Sequence, residues 1–146
     1  MDLLLALVAL AAGAGLAPQA VANGTLERLT GRAEWAALVN FTVGLVALVA
    51  WAGATRLAWP GGAFARAPWW SWTGGVLGAF YVVAVAFLAP RLGVATTLSM
   101  AVAGQTLAAL AVDRLGLLGA ASRPLTAGRI LGGVLLVAGV LLVRRF

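Results

Sequence analysis

About five stretches of some twenty apolar residues follow one another along this 146-residue chain, each long enough to cross the roughly 30 Å hydrocarbon core of a bilayer. Nothing else in the sequence constrains the fold so strongly. Inside hydrocarbon every backbone N–H and C=O must be satisfied within the protein, so only helices and closed barrels can span it. The stretches are continuously apolar, rich in Leu, Ala and Val, and lack the apolar-polar alternation of barrel strands. The expected spans are 3–26, 35–55, 69–89, 94–112 and 125–143, forming a single transmembrane domain over 1–146. Hydrophobic residues make up 63% and charged residues 10%, too little charge to coat a soluble domain of this length.

Polar residues and helix breakers punctuate the spans. Glu27, Arg28, Thr30, Gly31 and Arg32 read as the first turn, and Pro60, Gly61, Gly62 and Pro68 break the long second loop. The third span is expected to stop at Pro90-Arg91-Leu92-Gly93, a link short enough to force an antiparallel helix pair. The fourth closes at Asp113-Arg114, and 116–123 reads as a loop. Pro124 suits the first position of the fifth helix, where its missing N–H costs nothing. Trp51, Trp59, Trp69, Trp70 and Trp72 flank the second loop and fit an aromatic belt at one interface. The apolar start, with Ala20-Val21-Ala22 after it, imitates a signal peptide. Its charged residue is Asp2 rather than Lys or Arg, so it is expected to stay as a span.

All ten cationic side chains are arginines, and five spans divide them evenly. Arg56, Arg66, Arg114, Arg123 and Arg129 fall on one side, and Arg28, Arg32, Arg91, Arg144 and Arg145 on the other. Orientation is normally set by an excess of Lys and Arg in cytoplasmic loops. Without that excess the chain can insert both ways up, and copies of opposite orientation can pair. The formal charge of +6 suits loop arginines beside anionic lipid headgroups; no basic run interleaves with exposed aromatics, which argues against nucleic acid.

Chemistry has little raw material here. The chain has no Cys and no His, so thiolate sites, imidazole ligands and imidazole proton carriers are missing. The acids Asp2, Glu27, Glu34 and Asp113 lie near span ends and form no two-carboxylate or metal cluster. An enzyme is therefore not expected, nor a cofactor or metal. Only Glu34 and Asp113 offer themselves for titration. With no carboxylate near the middle of a span, a neutral, zwitterionic or hydrophobic cargo fits better than a multivalent cation.

Polar groups inside spans are costly and ask for a reason. In the first span Gly15, Gln19 and Asn23 recur every four residues and share one helix face. Pro18 among them removes the donor that Ala14 would otherwise accept from, which makes Gly15 and Pro18 candidate hinge residues. Gln19, Asn23, Asn40, Tyr81 and Gln105 are the candidate substrate-binding residues. Thr97, Ala101, Gly104 and Ala108 form a small-residue stripe, with Ser99 beside it. Gly74 and Gly78, Gly128 and Gly132, and Gly139 are candidate packing or dimer contacts, because small residues let membrane helices approach closely. Arg129, about one turn inside the fifth span, is expected to snorkel to the interface.

The run from Gly15 to Gly24 with its Pro18, Gln19 and Asn23, then Phe41 and Gly44, resembles the start of the YdcZ family of the drug/metabolite transporter superfamily. The likeness continues through Gly74-Gly75-Val76-Leu77-Gly78-Ala79-Phe80-Tyr81, Pro90-Arg91-Leu92-Gly93 and Gly104-Gln105. It closes with Pro124-Leu125-Thr126 and Gly132-Gly133-Val134-Leu135-Leu136. The resemblance implies an all-α integral membrane protein whose five helices are half of a ten-helix inverted-repeat transporter fold, with the fifth helix outside the core. It supplies no catalytic residues and no cargo. The missing mid-membrane carboxylate departs from the small multidrug exporters of the same superfamily.

Together these readings lead to a small-molecule secondary transporter in a bacterial inner (plasma) membrane, working by alternating access as an antiparallel homodimer. A related half-size protein of fixed opposite orientation is the alternative partner. A passive ion or solute channel, which needs a continuous wet pore, and a non-transporting scaffold, whose polar groups only pair across helices, are the rival functions.

Overall fold

The computed structural model describes residues 3–146; Asp2, and with it the acidic start of the chain, lies outside the described residues. The described chain is helical, with no strand. Five helices have the length and composition to cross a membrane: α1 (Leu3–Thr30), α2 (Ala33–Ala54), α3 (Thr73–Leu92), α4 (Val94–Leu115) and α5 (Ala127–Arg145). At 1.5 Å per residue the 22-residue α2 and α4 are each about 33 Å long, close to the hydrocarbon thickness. Their apolar side chains point outward: Leu48 is 69% exposed, Phe80 74% and Leu4 70%. Helices that are apolar all round and exposed require lipid as their solvent.

Three boundaries differ from the sequence expectation. Helix α1 does not stop at residue 26 but carries Glu27, Arg28 and Thr30 in its last turn. Thr30 Oγ1 bonds the Leu26 carbonyl at 2.7 Å, and Gly31 N bonds the Glu27 carbonyl at 2.8 Å. The turn is only Gly31 and Arg32. Gly31 takes φ +73°, a left-handed conformation that costs glycine nothing. The third span likewise runs through Pro90 to Leu92. Gly93 alone, at φ +87° and ψ 148°, separates α3 from α4, a conformation closed to residues with a Cβ. Pro124 does not begin α5. Thr126 caps it, its Oγ1 accepting from Arg129 N at 3.4 Å, and so provides an acceptor for an end amide that proline cannot.

The chain forms two compact units, Gln19–Phe87 and the residues up to Pro18 together with Leu88–Phe146. In the first, α2 packs antiparallel against the C-terminal half of α1 and against α3. Its core is small: Ala33, Ala36 and Ala86 are buried, with Leu26 and Val83 packed on them. Phe41 reaches α3 where Gly78 has no side chain; a Cβ there would sit 3.5 Å from the ring. The second loop of this unit holds two short 3-10 turns, Gly61–Arg66 and Trp69–Trp72. Phe64 packs edge-on against Trp59 at 5.4 Å and tilted against Trp72 at 5.9 Å. Trp59 and Trp69 are 81% and 79% exposed, as interfacial anchors are. In the other unit α4 and α5 pack antiparallel around Gly133, which is buried with Leu110 and Leu107 facing it.

Candidate functional site

Helix α1 presents one buried stripe of Ala20, Asn23, Gly24 and Glu27, spaced three and four apart. Small residues bring α2 close, and the polar residues between them then meet protein rather than lipid. Gln19, half-buried at the stripe's upper edge, donates from Nε2 to Oδ1 of Asn40 on α2 at 2.9 Å. The sequence expected both amides in one cavity; the structure joins them in a direct interhelical bond. Asn23, one turn further along α1, is buried. Tyr81 is half-buried on α3 of the same unit. Gln105 is an exposed residue of α4 and belongs to the other unit.

The hinge candidates Gly15 and Pro18 are exposed and lie in an unbroken helix, since α1 continues through Pro18. The boundary between the two compact units falls immediately after Pro18. The packing candidates divide. Gly78 meets Phe41, and Gly139 lines a shallow groove with Ser99 and Val102 between α4 and α5. Gly74, Gly128 and Gly132 have no atom within 4 Å of a would-be Cβ. Their surfaces stay open in a single copy. In the small-residue stripe of α4, Thr97 is buried with no partner for its Oγ1, Ala101 is half-buried, and Gly104 and Ala108 are exposed.

Two acids behave differently from the expectation. Glu27, assigned to a polar turn, is 6% exposed and continues the Gly15-Gln19-Asn23 spacing by another four residues. That continuation was visible in the sequence. The run of charge around it hid the signal, because Glu27-Arg28 looks like the end of a span. Asp113 accepts from Arg129 Nη1 at 3.2 Å, with side chains 36% and 31% exposed. Arg129 therefore does not simply snorkel; it ties the start of α5 to the end of α4. Glu34 pairs with Arg32 at 3.1 Å in an exposed position. The hydrogen bond to Glu34, and then its charge, push the Arg32 guanidinium above its already high range, so Arg32 is charged at every physiological pH. Among the described residues no three His, Cys, Asp or Glu side chains gather to hold a metal ion.

A hydrogen bond between side-chain amides of α1 and α2, a buried acid on the same helix stripe and five apolar helices define an integral membrane protein with a polar interior seam. The family described as "Putative inner membrane exporter, YdcZ" matches residues 4–142. The chain belongs to the YdcZ family. It is 34% identical over 140 residues to the inner membrane protein YdcZ of Escherichia coli (strain K12), covering 93% of this chain and 91% of that protein. No solved structure matches the chain. As a YdcZ-family member it is an integral inner membrane protein, and the family's description points to a transporter rather than an enzyme.

Proposed function

We propose that this chain is a small-molecule exporter that works by alternating access as an antiparallel homodimer, each copy supplying five helices of a ten-helix inverted repeat. The single observation that carries the reading is the Gln19–Asn40 bond inside the membrane, beside buried Asn23 and Glu27. In secondary transporters of inverted-repeat design, cargo binds near the midplane at the repeat interface. Gln19, Asn23, Asn40 and Tyr81 are the cargo contacts of the Gln19–Phe87 unit, and Gln105 is a further candidate contact on α4. The amides exchange their mutual bond for bonds to cargo as it enters. Gly15 and Pro18 let α1 flex as access alternates. A row of uncharged amides suits a neutral or zwitterionic cargo better than a multivalent cation. The even split of ten arginines supports copies in both orientations.

Reporter fusions to the C-terminus test the orientation. Both orientations are expected in one membrane, and a single orientation overturns the antiparallel dimer. Replacing Arg56 and Arg66 by Gln is expected to lock one orientation, and replacing Arg28 and Arg32 the other. Each locked variant alone should fail to dimerise, and the two together should restore the dimer.

The same amide bond also favours a second reading, a scaffold whose polar groups are interhelical glue. Vesicle counter-transport with a panel of labelled zwitterions separates the two. Gln19→Ala with Asn23→Ala abolishes counter-transport in a carrier. If a correctly folded wild-type dimer exchanges none of the panel, the scaffold is favoured.

A further inference from the structure

The α4–α5 pair carries a groove of about 480 Å³ that the transport reading does not use. Its walls are aliphatic: Leu107, Leu110 and Ala111 on α4, and Ile130, Val134 and Val137 on α5. The volume is comparable to that of one long acyl chain. One end of this groove is charged. Along α4, Asp113 and Arg114 follow Leu110 by three and four residues, so they continue the same side. Along α5, Arg129 precedes Gly133 by four and Val137 by eight, again on one side. The Asp113–Arg129 bridge of 3.2 Å closes that end.

The intervening loop is strapped to the same place. Arg123 N donates to the Asp113 carbonyl at 2.8 Å, and Ser122 Oγ to the Arg114 carbonyl at 3.3 Å. Arg114 and Arg123 thus have their backbones fixed beside the Asp113–Arg129 pair, so three arginines and one acid share this end of the helix pair, a formal surplus of two positive charges. Arg114 and Arg123 are exposed. Guanidinium groups match phosphate oxygens in geometry as well as charge. The start of α5 adds the positive end of its dipole.

We propose that this groove is a binding site for an anionic glycerophospholipid, one acyl chain lying between α4 and α5 and the phosphodiester held by Arg114 and Arg123. An aliphatic trough alone accepts any lipid; the arginine surplus at its mouth selects a headgroup of net negative charge. The site is complete within one copy, so it is independent of the transport reading and of the dimer.

The test uses the purified full chain in detergent micelles doped with dioleoylphosphatidylglycerol or with dioleoylphosphatidylcholine, read by thermal unfolding and by native mass spectrometry. The anionic lipid is expected to raise the melting temperature further and to remain bound in the gas phase. Arg114→Gln and Arg123→Gln are each expected to weaken its binding roughly fivefold. Ala111→Phe fills the trough without touching a charge and is expected to displace the lipid; Val134→Phe serves if that variant does not fold. Equal stabilisation by the two lipids overturns the proposal. So does anionic selectivity that survives both the arginine and the groove-filling variants. An interchain disulfide formed by Val134→Cys in phosphatidylglycerol bilayers would assign the groove to a second copy instead, and also overturns it.

Discussion

The two helix seams of this protein solve one problem in opposite ways. The α1–α2–α3 unit keeps polar groups within its spans, Gln19 bonded to Asn40 and Asn23 and Glu27 buried, and it packs around alanines. The α4–α5 pair keeps its seam mostly aliphatic, with Ser99 as a polar exception, packs leucines onto Gly133, and gathers its charges at one end as Asp113, Arg114, Arg123 and Arg129. In lipid there is no hydrophobic gain from bringing two apolar helices together, so close packing and interhelical hydrogen bonds must hold them. The first unit uses both. The second relies on close packing, with one ion pair as a clasp. A seam that carries amides offers a polar solute hydrogen-bond partners; a mostly aliphatic seam offers few.

The contrast is broken most severely at Gly133. Gly133→Ala places a Cβ in ordinary contact, 3.5 Å from Leu110 Cδ1, and should change stability little. Gly133→Leu must displace Leu107 and Leu110 from the helix contact and is expected to cost roughly 1–3 kcal/mol in denaturant unfolding. Gly132→Leu, one residue away and facing open space, should leave the single chain's stability unchanged. If it nevertheless lowers dimer content in cross-linking, the open glycine face is where copies meet.

Loss of the Gln19–Asn40 hydrogen bond is the next largest effect. Gln19→Leu leaves Asn40 half-buried without its donor and should cost about 1 kcal/mol, in line with interhelical bonds in membranes. Adding Asn40→Leu should recover part of that loss, because an apolar pair leaves nothing unsatisfied. A strictly additive double mutant would show that the two amides are not coupled.

Asp113→Asn removes the clasp of the α4–α5 seam. Both side chains are about one-third exposed, so screening limits the loss to under about 1 kcal/mol, and added salt should shrink it further. Glu34→Gln, at the fully exposed pair with Arg32, should produce no measurable change in melting temperature. Smallest of all is Thr97→Val. Its buried hydroxyl has no partner, so the swap should be neutral or stabilising by a few tenths of a kcal/mol. A clear destabilisation there would reveal a partner that forms only in the dimer.

Most of the five-helix pattern was legible because length and apolarity are local properties that the bilayer reads directly. The spans were placed within a few residues, and the errors share a cause. At Glu27 and Pro90 a charge or a proline near a span end looks like a stop. A helix can nonetheless run on past the hydrocarbon, and proline in its last turn disturbs only backbone bonds close to its end. Candidate residues were legible where period alone sufficed, as for Gln19 and Asn23 on one face of α1. That Gln19 would meet Asn40, 21 residues later on another helix, depends on the rotation of α1 and α2 about their axes.

The sequence by itself determined a membrane-spanning helical chain, because partition into lipid needs no knowledge of neighbours. Only the tertiary structure decided that Glu27 is buried, that Gly133 rather than Gly132 carries the α4–α5 contact, and that Arg129 joins Asp113. Burial and pairing are set by which face one helix turns toward another. Polar residues mark one face of α1, but α5 is apolar along most of its length and carries no such stripe, so packing alone selects its face.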